Sequence, residues 1–338
     1  MPRPTRILNS TEIEIAAKLL QQGETVAFPT ETVYGLGANA LDREAVAKIF
    51  AAKGRPADNP LIIHCYHQAQ IGDLARGWCQ QAQLLMERFW PGPLTLVLPK
   101  QPAVPGIVTG GLDTVALRIP NHPIALALLR TAALPVAAPS ANVSGRPSPT
   151  RPEHVWQDLA GKISAIIDGG VTPGGLESTV LDCTTSPFRL LRPGGVTVEE
   201  LRELVPVAID SGARGESSPR SPARKYQHYA PETQLLLVTG YRIQAAIQEQ
   251  IQRCREKGLQ VAVMSFTESR DAYAGAEIMD LGSRRNLETA ASRIYHFLRE
   301  ADKGGFDLVI IEGLPPDDLG LALMDRFRKA AGGRIIQT

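Results

Sequence analysis

The chain has 338 residues, and its 36 Lys and Arg against 35 Asp and Glu leave a formal net charge of +1. That length suits two domains, and so neutral a balance excludes nucleic-acid binding driven by bulk charge, so any anion site must be built locally. A hydrophobic fraction of 43% excludes a disordered chain, and no apolar run approaches the ~20 residues of a membrane span.

Thr11-Glu12-Ile13-Glu14 has capping-box spacing and predicts a helix start. Ile15, Leu19 and Leu20 supply its apolar face, and Gly23 stops it. Residues 25–30 read as a buried strand, and Gly35-Leu36-Gly37 as a tight turn. Residues 43–53 predict a second helix, ended by Gly54-Arg55-Pro56. Strands are expected at 61–63, 94–98, 115–119, 135–138, 165–167 and 178–181, with a helix at 124–132. Strands and helices here follow no strict βαβ rhythm, which predicts an α/β domain with a twisted, mixed sheet.

From 206 to 231 the chain carries Pro, Ser, Gly and Arg with almost no large aliphatic residues, the composition of a linker or a functional lid. A regular alternation follows: strands at 235–238, 261–264, around 278 and at 308–311, with helices at 242–257, 287–301 and 321–331. It predicts a smaller, Rossmann-like parallel α/β domain. The expected organisation is a catalytic domain over 1–205, a linker over 206–232 and a C-terminal domain over 233–338. The four cysteines lack the spacing of a zinc ribbon or a disulfide framework, and residues 1–13 hold no signal-peptide stretch. A soluble cytoplasmic protein, without membrane association, is the expectation.

Several segments could carry chemistry. Gly35 to Ala40 satisfies the loose GxGxxA dinucleotide pattern, but such a site needs a helix opening within the glycines, and the periodicity opens one only near Arg43. A turn alone explains the glycines, though not the Thr30-Glu31-Thr32-Val33-Tyr34 cluster at a strand end. Lys53 and Arg55 either complement a helix dipole or, with Arg55 aimed between Gly54 and Pro56, meet phosphate. Ser140-Ala141-Asn142 on a Gly-bounded loop is either an Asx or Ser turn or an anion cradle. Residues 175–180 and 191–195 repeat the pairing of hydroxyl or Arg with Gly and Pro. No Ser-His-Asp order, GxSxG elbow or carboxylate pair stands out. Cations and hydroxyls without a side-chain nucleophile suit adenylyl transfer, in which positioning and charge stabilisation do most of the catalysis.

Together these segments resemble the YrdC-type threonylcarbamoyl-AMP synthases. The resemblance runs through residues 28–38, 53–64, 92–99, 117–120, 138–145, 176–182 and 191–194. Its most specific part is Lys53-Gly54-Arg55 joined with Ser140-Ala141-Asn142. Residues 221–231 resemble the linker of the two-domain form, although Ala223-Arg224 stands where the family more often has Gly-Met, and residues 235–336 resemble its Rossmann-like C-terminal domain. The resemblance implies nucleotidyl transfer: L-threonine, bicarbonate or carbon dioxide and ATP, with Mg²⁺ brought by ATP and no protein-held metal, give threonylcarbamoyl-AMP and pyrophosphate. The product would pass to a tRNA threonylcarbamoyl transferase complex, with direct tRNA binding compatible but not required. It further implies that Thr32, His64, Arg118, Ala138 through its backbone, and Ser178 hold threonine. Arg55, Asn59, Thr114, Ser140, Ser148 and Arg192 would hold ATP, and Lys53, Arg55, Ser140 and Asn142 would line the catalytic centre. Tyr226 and His228 would contact the site from a linker acting as a lid. Two rivals are an RNA-binding regulator, which lacks support from charge or an aromatic stripe, and the carbamoyl-adenylate chemistry of hydrogenase-maturation proteins, whose cysteine pairs and acylphosphatase segment are not visible.

Overall fold

The computed structural model describes residues 4–56, 58–209, 229 and 231–338; Tyr226, His228 and the Ala223-Arg224 step lie outside the described residues. In the larger unit the strands are β1 (Arg6–Leu8), β2 (Val26–Phe28), β3 (Gly35–Asn39), β4 (Ile62–His64), β5 (Leu94–Pro99) and β6 (Thr114–Arg118). They continue with β7 (Val136–Ala137), β8 (Ala165–Ile167), β9 (Thr179–Asp182), β10 (Phe188–Arg192) and β11 (Val207–Ile209). Its helices are α1 (Ile13–Gln21), α2 (Arg43–Lys53), α3 (Ile71–Leu74), α4 (Gln80–Phe89), α5 (Gly106–Thr109), α6 (Pro123–Ala132), α7 (Pro152–Leu159) and α8 (Val198–Arg202).

The sheet has 11 strands in the order β1-β8-β2-β3-β7-β4-β6-β5-β9-β10-β11. It is mixed, as expected: β4 runs parallel to β6 and antiparallel to β7. Helices α1 and α6 cover part of it, packing Ala16, Ala17 and Leu20 against Ala125, Leu128 and Leu129 over Phe28 and Val136. Each fully buried leucine contributes roughly 1.5–3 kcal/mol.

Helix α2 forms where the sequence places it. The Asp42 side chain accepts from the Glu44 and Ala45 N–H groups, and Gly54, at φ 60°, turns the chain out of the helix. Two expectations need correction. The capping box at Thr11 does not form: Asn9 Oδ1 accepts from the Thr11 N–H and hydroxyl, Glu12 bonds back to Asn9, and α1 starts at Ile13 without a side-chain cap. A local turn through Asn9 outcompetes the cap. Nor is Gly35-Leu36-Gly37 a turn. It is the start of β3, antiparallel to β2 with Val26 opposite Gly37 and Phe28 opposite Gly35. A Cβ on Gly37 would stand 2.8 Å from both the Phe28 ring and Val136, so the glycine makes room for its neighbours' side chains. With a strand across these glycines, the dinucleotide pattern has no helix to serve.

The smaller unit contains β12 (Gln234–Thr239), α9 (Ile243–Glu256), β13 (Val261–Ser265), β14 (Glu277–Asp280), α10 (Leu287–Lys303), β15 (Leu308–Glu312), α11 (Asp318–Ala330) and β16 (Ile335–Gln337). Its 5 strands run in the order β14-β13-β15-β12-β16, and every pairing is parallel. The connection through α9 runs one way along the sheet and those through α10 and α11 the other. Right-handed crossovers therefore place α9 on one face and α10 and α11 on the opposite face. Ile247, Ile251 and Cys254 of α9 pack accordingly on Val238, Val263 and Ile310. Strand β16 escapes sequence reading because its three residues are partly or fully exposed and carry no alternation. Among the described residues no helix is long and apolar enough to cross a membrane.

Candidate active site

The expected site residues lie at the ends of strands and in the turns that leave them. His64 closes β4 and Arg118 closes β6, and the parallel register puts the two opposite each other. Both are buried, at 4% and 3% exposure. The Arg118 guanidinium is held from three sides: Nε donates to the Gly92 carbonyl at 3.1 Å, Nη1 to Thr32 Oγ1 at 3.0 Å, and Nη2 lies 2.7 Å from Glu31 Oε1. The last contact is an ion pair by distance but lacks hydrogen-bond alignment, and neither Glu31 oxygen accepts a hydrogen bond. Thr32 is fixed in turn by the Thr30 hydroxyl at 2.7 Å. Burial, aided by the neighbouring Arg118 charge, pulls the His64 pKa down to about 3, so its imidazole is neutral at physiological pH.

A second group gathers where α2 ends. Lys53 is 2% exposed, and its Nζ donates to the Ser140 carbonyl at 2.6 Å and the Asn142 carbonyl at 2.5 Å. The 140–142 loop is thereby tied to the helix, and the bridge Gly35↔Ser140 anchors the same loop to β3. Burial, and after it the Arg55 charge, hold Lys53 well below the usual ammonium range, while Asp158 opposes them. Arg55 folds over its own turn, donating to the Asn59 carbonyl at 3.3 Å and the Pro60 carbonyl at 3.1 Å. Asn59 is 1% exposed, and its Oδ1 has no hydrogen-bond partner.

A third group joins β5, β9 and β10. The Ser178 hydroxyl lies 2.7 Å from Thr95 Oγ1 and accepts from Arg192 Nη2 at 3.1 Å, and Arg192 Nε donates to the Ser178 carbonyl at 3.0 Å. Ser148 donates to Glu177 Oε1 at 2.6 Å. The Ala138 N–H donates to the Ile62 carbonyl at 2.9 Å, which sets the residue after β7 beside β4.

Thr32 thus meets Arg118, which faces His64; Lys53 meets Ser140 and Asn142; Ser178 meets Arg192. Thr114 stands apart from Arg118, at the other end of β6, about 13 Å away by the strand's rise per residue. Sequence reading passed over Glu31, Thr95 and Glu177. Glu31 sat within a cluster already singled out, but nothing local said that it would meet Arg118, which is 87 positions later. Thr95 and Glu177 find partners only through the tertiary fold.

Known proteins resemble this chain in sequence and fold. Residues 18–194 match the Sua5/YciO/YrdC family model, described as telomere recombination, and residues 196–332 match the model for the threonylcarbamoyl-AMP synthase C-terminal domain. The chain belongs to the YrdC-type threonylcarbamoyl-AMP synthase family. The threonylcarbamoyl-AMP synthase of Bacillus subtilis is 48% identical over 97% of this chain and 95% of its own. That of Pyrococcus abyssi is 49% identical over 96% of each. The crystal structure of P. abyssi Sua5 complexed with L-threonine superposes with a TM-score of 0.94, covering 99% of this chain and all of that one at 47% identity. E. coli YciO, at 24% identity and a TM-score of 0.54, shares the fold over 60% of the chain.

Proposed function

We propose that this protein is an L-threonylcarbamoyladenylate synthase. It condenses L-threonine, bicarbonate or carbon dioxide and ATP to threonylcarbamoyl-AMP and pyrophosphate, a nucleotidyl transfer that supplies tRNA threonylcarbamoyladenosine formation through a separate transferase complex. The observation that carries this reading is the buried Arg118, whose guanidinium is preset by Gly92 and Thr32 and already faces a carboxylate. A site built this way suits the carboxylate of an amino acid.

Thr32, His64, Arg118, the Ala138 backbone and Ser178 take threonine in this reading. A neutral His64 can hydrogen-bond the substrate without repelling its ammonium group. Arg55, Asn59, Thr114, Ser140, Ser148 and Arg192 take ATP; a triphosphate chain with its ribose and base is long enough to use both ends of β6. Lys53 and Asn142 act by shaping the 140–142 loop, since the Lys53 ammonium is spent on carbonyl oxygens. Mg²⁺ enters this reading as a companion of the ATP phosphates. When bound it would supply positive charge against the phosphates, beside Arg55 and Arg192. This reading places the enzyme in the cytoplasm.

The test is pyrophosphate release from ATP and Mg²⁺ with threonine and bicarbonate omitted in turn. Release that requires both is expected. Release indifferent to threonine would discard the substrate, and no release under any condition would discard the enzyme.

A further inference from the structure

The smaller unit has a crevice of about 450 Å³ at the carboxyl edge of its sheet, lined by Tyr241, Arg242, Ile243, Gln244, Ala245, Arg284 and Glu312. Its place follows from the topology. Strands β12 and β15 are neighbours, but the chain leaves β12 for α9 on one face and β15 for α11 on the other. Such a switch point parts the two loops and opens a cleft where ligands of parallel α/β sheets bind.

The lining is polar and cationic. Glu312, the last residue of β15, is 1% exposed and fully engaged: it accepts from the Phe266 N–H at 3.1 Å and Ser269 Oγ at 2.5 Å, and pairs with Arg284 Nη2 at 2.6 Å. Arg284 is stacked on the Phe266 ring, 4.4 Å from its centroid, so its guanidinium is fixed in plane while a third of the side chain stays open to solvent. Glu312 neutralises Arg284, and the exposed Arg242 leaves the crevice with net positive charge. The first turn of α9 adds to it, having no side-chain cap over its N–H groups. At the rim Tyr241 is fully exposed, as an aromatic side chain with no packing role. A structural ion pair accounts for Arg284 and Glu312 alone; it leaves Arg242, the uncapped helix and Tyr241 without a purpose.

We propose that this crevice is a second ligand site, for a phosphate monoester of mononucleotide size. The phosphate sits between Arg242, the solvent-facing side of the Arg284 guanidinium, whose Nη1 also donates to the Gly313 carbonyl at 3.5 Å, and the N–H groups of residues 243–245, and the planar base lies on Tyr241. The site is independent of the threonine and ATP residues assigned above and stands whether or not that assignment does.

Amide chemical shifts of the ¹⁵N-labelled full-length chain, titrated separately with AMP and inorganic phosphate, test it. AMP is expected to shift residues 243–245 and 284 along one saturable curve, with inorganic phosphate weaker at the same amides. Arg242→Glu should weaken that curve about tenfold or more. Tyr241→Ala should weaken AMP and leave phosphate unchanged. Both side chains are exposed, so the variants fold. No saturable shift at these amides up to roughly 10 mM AMP, or an unchanged curve in Arg242→Glu, overturns the site. Phosphate binding as tightly as AMP overturns its assignment to a nucleotide.

Discussion

Replacing Glu31 with glutamine should make the protein less stable when empty and bind threonine more tightly. Two of the Arg118 nitrogens are committed to Gly92 and Thr32, and the third lies 2.7 Å from Glu31. An arriving carboxylate must take the edge that Glu31 holds. At about 4 Å between charge centres and an effective dielectric near 20, the pair is worth roughly 4 kcal/mol gross. What a substrate carboxylate gains at the freed Nη2 edge is closer to one charge-assisted hydrogen bond, about 1.5–3 kcal/mol. Glutamine keeps the shape and removes the competing charge, so the threonine Kd should tighten by roughly tenfold to a hundredfold. The same change leaves a guanidinium at 4% exposure without its counter-charge, so the unliganded thermal midpoint should drop by several degrees and recover when threonine is added. Titration calorimetry with threonine, beside thermal scans with and without it, reads both effects. A folded Glu31→Gln protein with an unchanged or weaker threonine Kd would refute the competition.

Three further changes test other parts of the structure. Lys53→Met keeps the length of the side chain but leaves two buried carbonyls without their donor, which should cost roughly 2–6 kcal/mol in denaturant unfolding and weaken ATP binding; wild-type stability would show that the loop is held by something else. His64 has its pKa at about 3 in the fold against ~6.5 in the unfolded chain, so between these values only the unfolded state takes up the proton and stability falls as pH drops. By pH 5 this amounts to about 2 kcal/mol, which His64→Gln should not show, and parallel stability–pH curves for the two proteins would contradict it. Gly37→Ala forces a methyl group to 2.8 Å from Phe28 and Val136 and should cost about 1–3 kcal/mol by overpacking, visible as a lower thermal midpoint.

What could be read ahead of the structure follows from which signals are local. The end of helix α2 was legible because Gly54 acts within one turn of it, whereas the Asp42 cap at its start became evident only in the structure. The alternation after residue 233 was legible because each buried parallel strand is a short aliphatic run between amphipathic helices. Strand β3 was not, since Gly35 and Gly37 carry no side chain to alternate, and their presence is explained only by Phe28, Ala138 and Val136 across the sheet. The cap at Thr11 failed because Asn9 offered a nearer partner. At the candidate site the residue types were readable and their engagements were not. Lys53 read either as a complement to the helix dipole or as a cation meeting phosphate, and the loop that binds its ammonium is 89 positions away. The hydroxyl pair Ser178 and Thr95 is joined across 83 positions through β5 and β9, a pairing no window of sequence contains.

The position of β8 has a consequence for the making of the protein. It lies between β1 and β2, paired to both through Ala165 and Ile166. Strands β1 and β2 emerge early from the ribosome, but the residues that join them come only after most of the unit's other strands. At about 5–20 residues per second, synthesis from Phe28 to Ala165 takes roughly 7–27 s, during which β2 presents an unpaired apolar edge. Closing so long a loop is also slow on its own account. The nascent chain should therefore depend on chaperones and grow more aggregation-prone at faster expression and higher temperature. A chain stopped before residue 165 lacks the central strand of a three-strand ribbon and leaves both neighbours open, a weakness of birth that the finished protein no longer carries.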